Sequence, residues 1–522
     1  MTVVRLNVDM VDSVPRYPGL DGGVAVAIAL GLTELVAGLT ARVPSAIASV
    51  GAVIVDLSPP VVKDVAIGLL GTADKGALAV GTVIASLFIG IVVGRRSVTH
   101  RWVAMAAFGL FGLLGIGAQL RAPMASPVLV VLSTSAAAAA GYGVLRVLHA
   151  LDARAFVEDP TDGRIPDGDR RRFMVAAAGV GVGAVALMAF GRSQIIGRSE
   201  ATRLAVGLPS PLNPAPAITA ANELGLEGLT PIVEATKDFY RIDTALVVPV
   251  IDAASWTLRV SGMVEREVEL TLEDIYRMEQ LERYVTISCV SNEVGDDLVG
   301  NARWQGVRLT EILDMARPLP GADQIVPRSI DGWTAGFPTE LAYDGRDPIV
   351  AVGMNSAALP RDHGYPARLI VPGLYGYVSA TKWLTEIELT TWDGFDAYWV
   401  PRGWAKEAPI KTQSRIDRPS GRNSVPAGAY AAAGVAWAPT RGIAGVEVQL
   451  DDGAWREAVL SRPLSNDAWV QWMVDLDLDP GAHRLRVRAT DGDGVTQTEE
   501  IRPPRPDGAT GWHSVTFDVR EA

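Results

Sequence analysis

The single cysteine of the chain, Cys289, is the residue from which a chemistry can be argued. It follows an apolar run at 284–288 and precedes a polar loop at 290–296. A lone cysteine is commonly a buried, inert side chain. At the junction of a strand and a loop, however, its thiolate can face a pocket, where it is a nucleophile or a soft metal ligand. Because a thiol nucleophile needs a nearby histidine and none lies close in sequence, metal ligation remains as the functional alternative.

The composition narrows the class of protein. The 522 residues are 48% hydrophobic and 20% charged, with a mean hydropathy of +0.21. This average is too apolar for a soluble protein and too charged for a pure transporter, so a multi-domain chain with two kinds of segment is predicted. One cysteine excludes an intrachain disulfide and a cysteine-cluster zinc or iron–sulfur site. The net charge of −12 argues against a nucleic-acid partner.

Five apolar runs in the N-terminal part predict transmembrane helices, because each approaches the roughly 20 residues that cross a bilayer. The runs are 24–39, 77–94, 102–120, 127–145 and 173–191. Two shorter stretches, 44–55 and 61–70, lie beside Pro59 and Pro60. Their length is typical of re-entrant or interfacial segments.

Arginines in the short connections predict the orientation, because positively charged loops remain in the cytoplasm. Two connections are rich in arginine and the one between them is not: Arg95, Arg96 and Arg101 join spans two and three, Arg146, Arg154, Arg164 and 170–172 join spans four and five, and Arg121 stands alone between spans three and four. With both clusters inside, five spans place everything after residue 191 outside the cytoplasm. We therefore expect a multi-pass protein of the cell membrane whose C-terminal part is extracytoplasmic.

The sequence at 169–174, Asp-Arg-Arg-Arg-Phe-Met, resembles a twin-arginine export signal and precedes a weakly hydrophobic run at 175–190. The alternative is a positive-inside anchor ahead of an ordinary span. Both place the C-terminal part on the same side of the membrane. Only the twin-arginine route, which moves folded proteins, explains how a domain acquires a bulky cofactor before it crosses.

Beyond the last span the sequence changes character twice. Residues 192–232 are rich in Pro, Ser and Ala without a sustained period, which predicts a linker. From about Thr236 short strands and capped helices follow, such as the alternating strand at 256–261 and a helix with Thr271 as N-cap and Asp274 at its third position. This pattern predicts an α+β domain.

The last hundred residues contain regularly spaced strands. Residues 445–450 alternate into a turn at Asp452 and Gly453, and 476–478 run through 479–481 into 483–488. This spacing predicts an immunoglobulin-like β-sandwich. The sequence at 491–494 faintly resembles a calcium loop, but the downstream ligand pattern is missing, so a hairpin turn without a metal is predicted.

Several ordered motifs from Asp238 onward resemble the single-pterin molybdenum enzymes of the sulfite oxidase type. The motifs are Phe-Tyr-Arg-Ile-Asp at 239–243 with Val248 and Pro249, the strand that ends in Cys289, Trp-Gln-Gly-Val-Arg-Leu at 304–309, the block at 359–376, and Lys-Trp-Leu at 382–384. The resemblance implies an α+β sulfite-oxidase-like molybdopterin domain, at 233–405, followed by an immunoglobulin-like dimerisation domain at 406–522. Together with the apolar runs and the Pro-rich stretch, the predicted order is a transmembrane region of about five helices at 1–191, a linker at 192–232 and these two domains.

The same resemblance implies the roles of the site residues. Cys289 would be the protein ligand of a molybdenum held by a single molybdopterin, and Arg241 the second catalytic residue. His363, Arg368 and Lys382 would hold the pterin and its phosphate, Arg as a fork and Lys as a point charge. The full cofactor-binding set is Tyr240, Arg241, His363, Arg368, Ala380, Thr381 and Lys382. The stretch between Gly376 and Lys382 is one residue longer than in vertebrate sulfite oxidases, which leaves the individual contacts of its last three residues open.

The substrate expected first is a small sulfur oxyanion such as sulfite, because Arg241 matches the anion-binding arginine of the family. Two other substrate-side residues of sulfite oxidases are replaced here, around Val294 and at Val352. A reductase of methionine sulfoxide or other sulfoxides is therefore an alternative. A non-catalytic membrane scaffold is the second, and it is disfavoured because a scaffold has no chemical need for this set of residues.

Electron transfer is expected to use a separate partner, a cytochrome or a quinone-linked protein, because the sequence has no Cys-x-x-Cys-His motif. His100 and His149 near the ends of two spans are predicted to be loop residues rather than haem ligands. Glu34 in the first span is a candidate functional acid, or else an end-of-helix residue that faces other spans. A homodimer is expected from the resemblance alone.

Overall fold

The computed structural model describes residues 14–40, 42–59, 74–122, 125–155, 167–205, 207–245, 248–421 and 424–521. The chain divides into two compact units, the first made of residues 1–200 with 245–250 and the second of 201–244 with 251–522. The predicted short segment at 61–70, Pro60 and Arg164 lie outside the described residues.

The first unit is helical throughout its described part. Its helices are α1 (Pro18–Leu39), α2 (Ala46–Leu57), α3 (Asp74–Thr99), α4 (Arg101–Gln119), α5 (Pro127–Ala155) and α6 (Asp167–Ala205). Within the described ranges, five of them are long and apolar enough to cross a membrane, and α2 is a shorter apolar helix. The five predicted runs thus each form such a helix, and the stretch at 44–55 forms most of α2.

Glycines bring α1 close to its neighbours. A Cβ atom on Gly22 would lie 2.0 Å from the carbonyl oxygen of Gly90, and one on Gly94 would lie 2.0 Å from that of Pro18. Farther along α1, a Cβ atom on Gly38 would lie 2.5 Å from the carbonyl oxygen of Gly191. Small residues allow this close backbone approach between helices in a membrane. Helix α1 is therefore the centre of the unit.

Two of the polar residues singled out in the spans have local structural contacts. Glu34 is 1% exposed, and its carboxylate accepts hydrogen bonds from Ser45 Oγ at 2.7 Å and from the backbone N–H of Ile47 at 3.3 Å. It thus occupies the N-terminus of α2, where backbone amides lack intrahelical acceptors. His149 lies within α5, 3.7 Å from the carboxylate of Asp21, so its prediction as a loop residue is wrong. His100 precedes α4 and is exposed, as predicted.

The linker begins later than predicted and is bound along part of its length. Helix α6 continues to Ala205, so residues 192–205 are helical. Residues beyond it contact the second unit: Leu212 N–H donates to Gln280 O at 2.8 Å, and Asn222 Nδ2 donates to Arg462 O at 2.9 Å. A Pro-rich segment held by such bonds is part of that unit rather than a free tether.

The first half of the second unit contains one mixed sheet and one antiparallel sheet among its described residues. The strands are β1 (Thr257–Gly262), β2 (Val268–Thr271), β3 (Leu281–Ser288), β4 (Val299–Arg308), β5 (Gln324–Ser329), β6 (Phe337–Pro338), β7 (Ile349–Met354), β8 (Ala357–Ala358), β9 (Arg368–Ile370) and β10 (Leu384–Thr390). The sheet orders are β2-β1-β10-β5-β6 and β3-β4-β7-β8, with β9 paired to β7. Three helices accompany them: α7 (Leu272–Arg277), α8 (Leu309–Ala316) and α9 (Gly376–Ser379). The predicted capping box at Thr271 and Asp274 is confirmed.

The C-terminal part consists of two sheets that share one core. Its strands are β11 (Gln413–Arg418), β12 (Val425–Pro426), β13 (Gly428–Trp437), β14 (Ile443–Leu450), β15 (Arg456–Glu457), β16 (Val459–Leu460), β17 (Val470–Leu478), β18 (Gly481–Asp491) and β19 (His513–Arg520). The described strands are ordered β11-β13-β17-β16 and β12-β19-β18-β14-β15. Side chains of both sheets, such as Trp472 and Leu485, pack in the same cluster, as expected for a sandwich.

Two turns of this part differ in kind. Residues 479–481 cross from β17 in one sheet to β18 in the other, so this turn is not a hairpin. The turn at 491–494 does connect paired residues, Thr490 and Thr496. Its Asp491 carboxylate accepts bonds from Arg441 Nε at 2.9 Å and Thr412 Oγ1 at 2.8 Å, which fixes the turn through side chains of the chain itself.

Strand β3, which leads to Cys289, is supported from the C-terminal part. Thr286 N–H donates to Asp467 O at 2.9 Å, and its Oγ1 accepts from the backbone N–H of Trp469 at 2.8 Å. The indole of Trp469 is fully buried and donates to Ile232 O at 2.8 Å. These bonds fix the end of β3 and thereby the position of the cysteine.

Candidate active site

Cys289 is the first residue after β3 and is 9% exposed. Its backbone N–H donates to Leu298 O at 2.9 Å, and its Sγ lies 2.9 Å from Ser291 Oγ. Burial raises the pKa of the thiol, because the apolar surroundings disfavour a thiolate. A thiolate at this position therefore requires a positive partner such as a metal ion, which deprotonates the thiol it binds.

Two tyrosines stand near the thiol. Burial, and after it the nearby Cys289, raises the pKa of Tyr240 well above its usual value. Burial also raises the pKa of Tyr375 to about 12, with further contributions from Asp507 and Cys289. Both phenols thus stay protonated at neutral pH and can donate hydrogen bonds beside the cysteine. Tyr240 was predicted for the site, whereas Tyr375 was quoted only as part of a motif.

His363 lies in a buried position, 6% exposed, with its ring edge-on to Phe239 at 5.6 Å between centroids. Its Nε2 lies 3.1 Å from Thr236 O, so that nitrogen carries the proton. Burial, followed by the charges of Arg368 and Lys382, lowers the pKa of His363 to about 3. The imidazole is therefore neutral, with its tautomer fixed by the carbonyl of Thr236.

Arg368 is 4% exposed, and burial lowers its pKa to about 10. Its Nη1 donates to His363 O at 3.1 Å, and its guanidinium lies 4.9 Å from the centre of the Trp304 ring. Its buried Nε has no hydrogen-bond partner among the described residues. A buried cation with a spare donor favours an anionic or hydrogen-bonding ligand.

The segment after α9 contributes the other predicted contacts. Lys382 is 8% exposed, and its Nζ donates to the Asp243 carboxylate at 2.8 Å and to Asp362 O at 2.9 Å. Burial lowers the pKa of Lys382 to about 8. Thr381 is fully buried, and its hydroxyl has no partner within the described part of the chain. Ala380 is the half-buried C-cap of α9.

Arg241 is placed differently from these buried cations. Its side chain is 39% exposed, and it pairs with Asp243 at 3.2 Å and with Asp362 at 3.3 Å. Of the two positions where sulfite oxidases carry other residues, Val294 is half-buried and Val352 is fully buried in β7. Arg241 thus lies in the cationic cluster, but carboxylates already accompany it.

The arrangement fits a pterin cofactor with a phosphate. Arg241, Arg368 and Lys382 all act electrostatically on His363, and a bound anion would offset their mutual repulsion. The buried donors Arg368 Nε and Thr381 Oγ1 suit a hydrogen-bonding ring system. Gly364, with a φ of 110°, admits the close approach of Lys382, whose Cα would lie 3.1 Å from a Cβ atom there.

Sequence reasoning missed the residues that position the cluster. These are Thr236, Phe239, Asp243, Trp304, Asp362 and Tyr375. Most of them lie in the motifs that carry the resemblance. Their closeness in sequence to Tyr240 or His363 could therefore have indicated that they contact the site. Trp304 is separated from Arg368 by 64 positions, 368 − 304, and only the fold brings them together.

Comparisons with known proteins show the family of the chain. The family described as the oxidoreductase molybdopterin binding domain matches residues 245–399. Sulfite oxidase of Gallus gallus is 26% identical over 324 residues, which cover 51% of this chain and 69% of that protein. The oxidoreductase YuiH of Bacillus subtilis is 30% identical over 153 residues, which cover 29% of this chain and 74% of that protein. Among solved structures, the sulfane dehydrogenase SoxCD of Paracoccus pantotrophus has a TM-score of 0.49 and 22% identity, covering 56% of this chain and 84% of that one.

The fold and the site thus define a molybdopterin-binding oxidoreductase. The chain belongs to this family, in its sulfite oxidase type, and is a molybdenum-dependent enzyme. The match to mitochondrial sulfite oxidase of Homo sapiens covers 59% of that protein's length at 26% identity. Membership in an oxidoreductase family disfavours the non-catalytic scaffold.

Proposed function

We propose that this enzyme oxidises a small sulfur oxyanion, such as sulfite, at a single molybdopterin whose molybdenum is bound by Cys289. The observation that carries the proposal is the buried cluster of Arg368 and Lys382 around a neutral His363, beside a buried thiol. When bound, the molybdenum cofactor supplies oxygen-atom exchange coupled to a two-electron change. The similarity to relatives named sulfite oxidase supports this choice of substrate class.

Some residues of the chain would bind the cofactor, and others would orient the substrate. Arg368 and Lys382 would bind the phosphate and ring of the cofactor, with Thr381 and Ala380 beside them. His363, whose Nε2 proton is donated to Thr236 O, would accept a hydrogen bond from the pterin at Nδ1. Tyr240, protonated beside Cys289, would hold a proton near an oxygen of the substrate. Arg241, partly exposed, would attract the anion and orient it.

The charge pairing at the site supports the alternative function, reduction of a neutral sulfoxide. The charge of Arg241 is already met by Asp243 and Asp362, at 3.2 and 3.3 Å, which weakens its attraction for an anion. The groups that affect the pKa of Cys289 are the neutral Ser291 and backbone amides. Because these groups are uncharged, the surroundings of the thiol suit an uncharged substrate as well as an anion.

Arg241→Met separates these two substrates. If the substrate is sulfite, KM should rise roughly tenfold, the lower end of the range for a charged hydrogen bond, because the guanidinium is partly screened. If the substrate is a sulfoxide, KM should change little. Arg259→Met is the matched control, since Arg259 is exposed and paired with Glu267 at 2.7 Å outside the site.

Parallel assays test the direction of the reaction. One uses sulfite with an artificial electron acceptor, and the other uses methionine sulfoxide with a reduced dye. Sulfite turnover with the KM effect of Arg241→Met is the expected result. Turnover in the second assay alone would overturn the proposal of sulfite oxidation.

The setting of the enzyme is part of the proposal. Five apolar helices would anchor it in the cell membrane with the catalytic unit outside the cytoplasm, where a cytochrome or quinone-linked protein would exchange electrons with it. The C-terminal two-sheet part would be the immunoglobulin-like domain of a homodimer. Light scattering of the detergent-solubilised protein should then give twice the chain mass, and a monomer would contradict the dimer.

A further inference from the structure

The loop that begins at Cys289 is closed by its own hydrogen bonds. The backbone N–H of Cys289 donates to Leu298 O at 2.9 Å, that of Asn292 donates to Cys289 O at 3.1 Å, and that of Leu298 donates to Asn292 Oδ1 at 2.8 Å. We call residues 289–298 the cysteine loop. Ser291 lies within it, with its Oγ 2.9 Å from Cys289 Sγ. The conformation of this loop therefore decides which groups surround the sulfur.

Arg415, in strand β11 of the C-terminal part, is bonded to the cysteine loop. Its Nη1 donates to Asp296 O at 3.2 Å, and its Nη2 donates to Thr230 Oγ1 at 2.6 Å. Its Nε donates to the Asp417 carboxylate at 2.8 Å, and both side chains of this ion pair are at most 10% exposed. Because a buried guanidinium with all three nitrogens bonded has one preferred orientation, Arg415 fixes the position of the Asp296 carbonyl.

His513, in strand β19, packs on the loop residue before Asp296. Its Nδ1 accepts a hydrogen bond from the backbone N–H of Ile416 at 2.9 Å, so Nε2 carries the ring proton. Burial, followed by the charge of Arg415, lowers the pKa of His513 to about 4, and the ring is therefore neutral. A Cβ atom on Gly295 would lie 2.4 Å from His513 Nε2, and the φ of 92° there is one that glycine adopts without strain. Two neighbouring residues of the loop are thus held by two strands of the C-terminal part.

We propose that Arg415 is a positioning residue of the active site: with His513 it holds the cysteine loop closed, and through Ser291 it sets the surroundings of the sulfur that binds molybdenum. A thiolate bound to a metal has no proton, so Ser291 Oγ would be the donor in its contact with Cys289 Sγ. Such a hydrogen bond withdraws electron density from the sulfur and raises the reduction potential of the metal.

The two halves of this proposal differ in what they require. The effect of Arg415 on the loop depends only on contacts within the second unit. The effect on the metal rests on the proposed function, because it requires molybdenum on Cys289. The C-terminal part would then tune the metal in addition to its proposed role in a dimer.

A pair of substitutions tests the role of Arg415 without leaving a buried charge alone. Replacing only Arg415 would leave the Asp417 carboxylate unpaired, which by itself can unfold a protein. Arg415→Gln combined with Asp417→Asn, called the pair variant, removes both charges together. The matched control is Arg488→Gln combined with Glu447→Gln. This ion pair also lies in the C-terminal part, at 2.8 Å, and within the described chain it has no bond to residues 289–298.

Hydrogen exchange of the full-length, molybdenum-loaded protein in detergent measures the loop. The backbone N–H groups of Cys289, Asn292 and Leu298 are bonded within it, so they exchange when it opens. In the pair variant we expect exchange of peptides over 289–298 to accelerate roughly tenfold or more, because a hydrogen bond from a charged donor is lost. The control should exchange these residues at the rate of the wild type.

A redox titration of the same samples, followed by the electron paramagnetic resonance of molybdenum, measures the effect on the sulfur. We expect a lower midpoint potential in the pair variant, because the bond from Ser291 is weakened. Ser291→Ala should lower the potential as well. Adding Ser291→Ala to the pair variant should change the potential little further, because both changes remove the same hydrogen bond. A general loss of stability would not produce this pattern.

The outcomes separate this proposal from the proposed function. Circular dichroism and molybdenum content are measured first. A folded wild-type protein without molybdenum would contradict the proposed function, while the exchange of the loop would still decide whether Arg415 holds it. Equal loop exchange in the wild type and the pair variant would overturn the proposal, as would equal acceleration in the control. Faster exchange with an unchanged potential would overturn the role of Arg415 at the sulfur.

Discussion

At the scale of single residues, burial determines the chemistry of the site. His363, Arg368 and Lys382 are each less than one tenth exposed, and burial lowers the pKa of each of them. The folded protein thus holds two cations in surroundings that disfavour charge. An anionic cofactor reverses this cost, so its binding should stabilise the fold as well as supply the chemistry.

Cys289→Ser should leave the protein folded and exported but inactive. The substitution nearly preserves the side-chain volume, while the hydroxyl is a much poorer ligand than a thiolate for a soft metal site. Activity and molybdenum content of the purified variant measure the effect, and circular dichroism checks the fold. Ser291→Ala is the control, because it removes only the 2.9 Å neighbour of Sγ. Turnover like that of the wild type in Cys289→Ser would refute the ligand assignment.

The stability of the molybdenum-free protein should fall in acid because of His363. Its pKa is about 3 in the fold and 6.5 in an unfolded chain, so between these values the unfolded state binds a proton that the folded state does not. Stability is then lost as pH falls below 6.5, at up to about 1.4 kcal/mol per pH unit. His363→Gln should reduce this loss of stability between pH 6.5 and pH 3.

Tryptophan fluorescence during denaturant unfolding measures this effect, because 12 of the 13 tryptophans, all but Trp102, lie in the second unit. His483→Gln gives a control of opposite sign. A hydrogen bond to Asp451 raises the pKa of His483, so its contribution is present below 6.5 and is lost as pH rises through the folded value. If the free energy of unfolding falls equally in acid with and without His363, the prediction is wrong.

At the scale of elements, local patterns predict which segments are helix or strand, but not their partners. The apolar runs, the capping box at Thr271 and the alternating strands can be recognised from residues that are close in sequence. The crossing at 479–481 resembles a hairpin in sequence, because two alternating strands joined by a short turn look the same whether they pair or lie in different sheets. Helix α6 extends beyond its apolar run because Arg192, Gln194 and Arg198 are themselves good helix formers.

The contact between α1 and α3 makes a prediction about one glycine. Gly90→Leu should destabilise the first unit by roughly 1–3 kcal/mol, because a Cβ atom there would lie 2.7 Å from Gly22 O and 2.8 Å from Val26. Gly81→Leu on the same helix is the control, since a Cβ atom there has nothing within 4 Å. Thermal melting in detergent measures both, and equal melting temperatures would contradict this packing.

At the scale of the whole molecule, the ordered motifs predicted which residues belong to the candidate site but not their charge pairing. They singled out Cys289, His363, Arg368 and Lys382 as candidates across a hundred residues. They did not show that Asp362 neutralises Arg241, because the two lie 121 positions apart and meet only through the fold.

The route by which the second unit reaches its side of the membrane can be tested at the start of α6. Arg170 and Arg171 lie in its first turns, and Arg172 pairs with Asp169 at 3.4 Å. Replacing both Arg170 and Arg171 by Lys keeps the positive charge that orients a span, but removes the paired arginines. If folded export through a twin-arginine pathway is used, the variant should retain its second unit in the cytoplasm.

Protease accessibility of the second unit in intact spheroplasts measures this outcome. The matched control replaces Arg95 and Arg96 by Lys, which alters an equally basic connection without a twin-arginine resemblance. Full accessibility in the Arg170 and Arg171 variant would mean that an ordinary span carries the unit across unfolded. The cofactor would then have to be inserted outside the cytoplasm, so molybdenum content in the same samples tests the order of folding, loading and export.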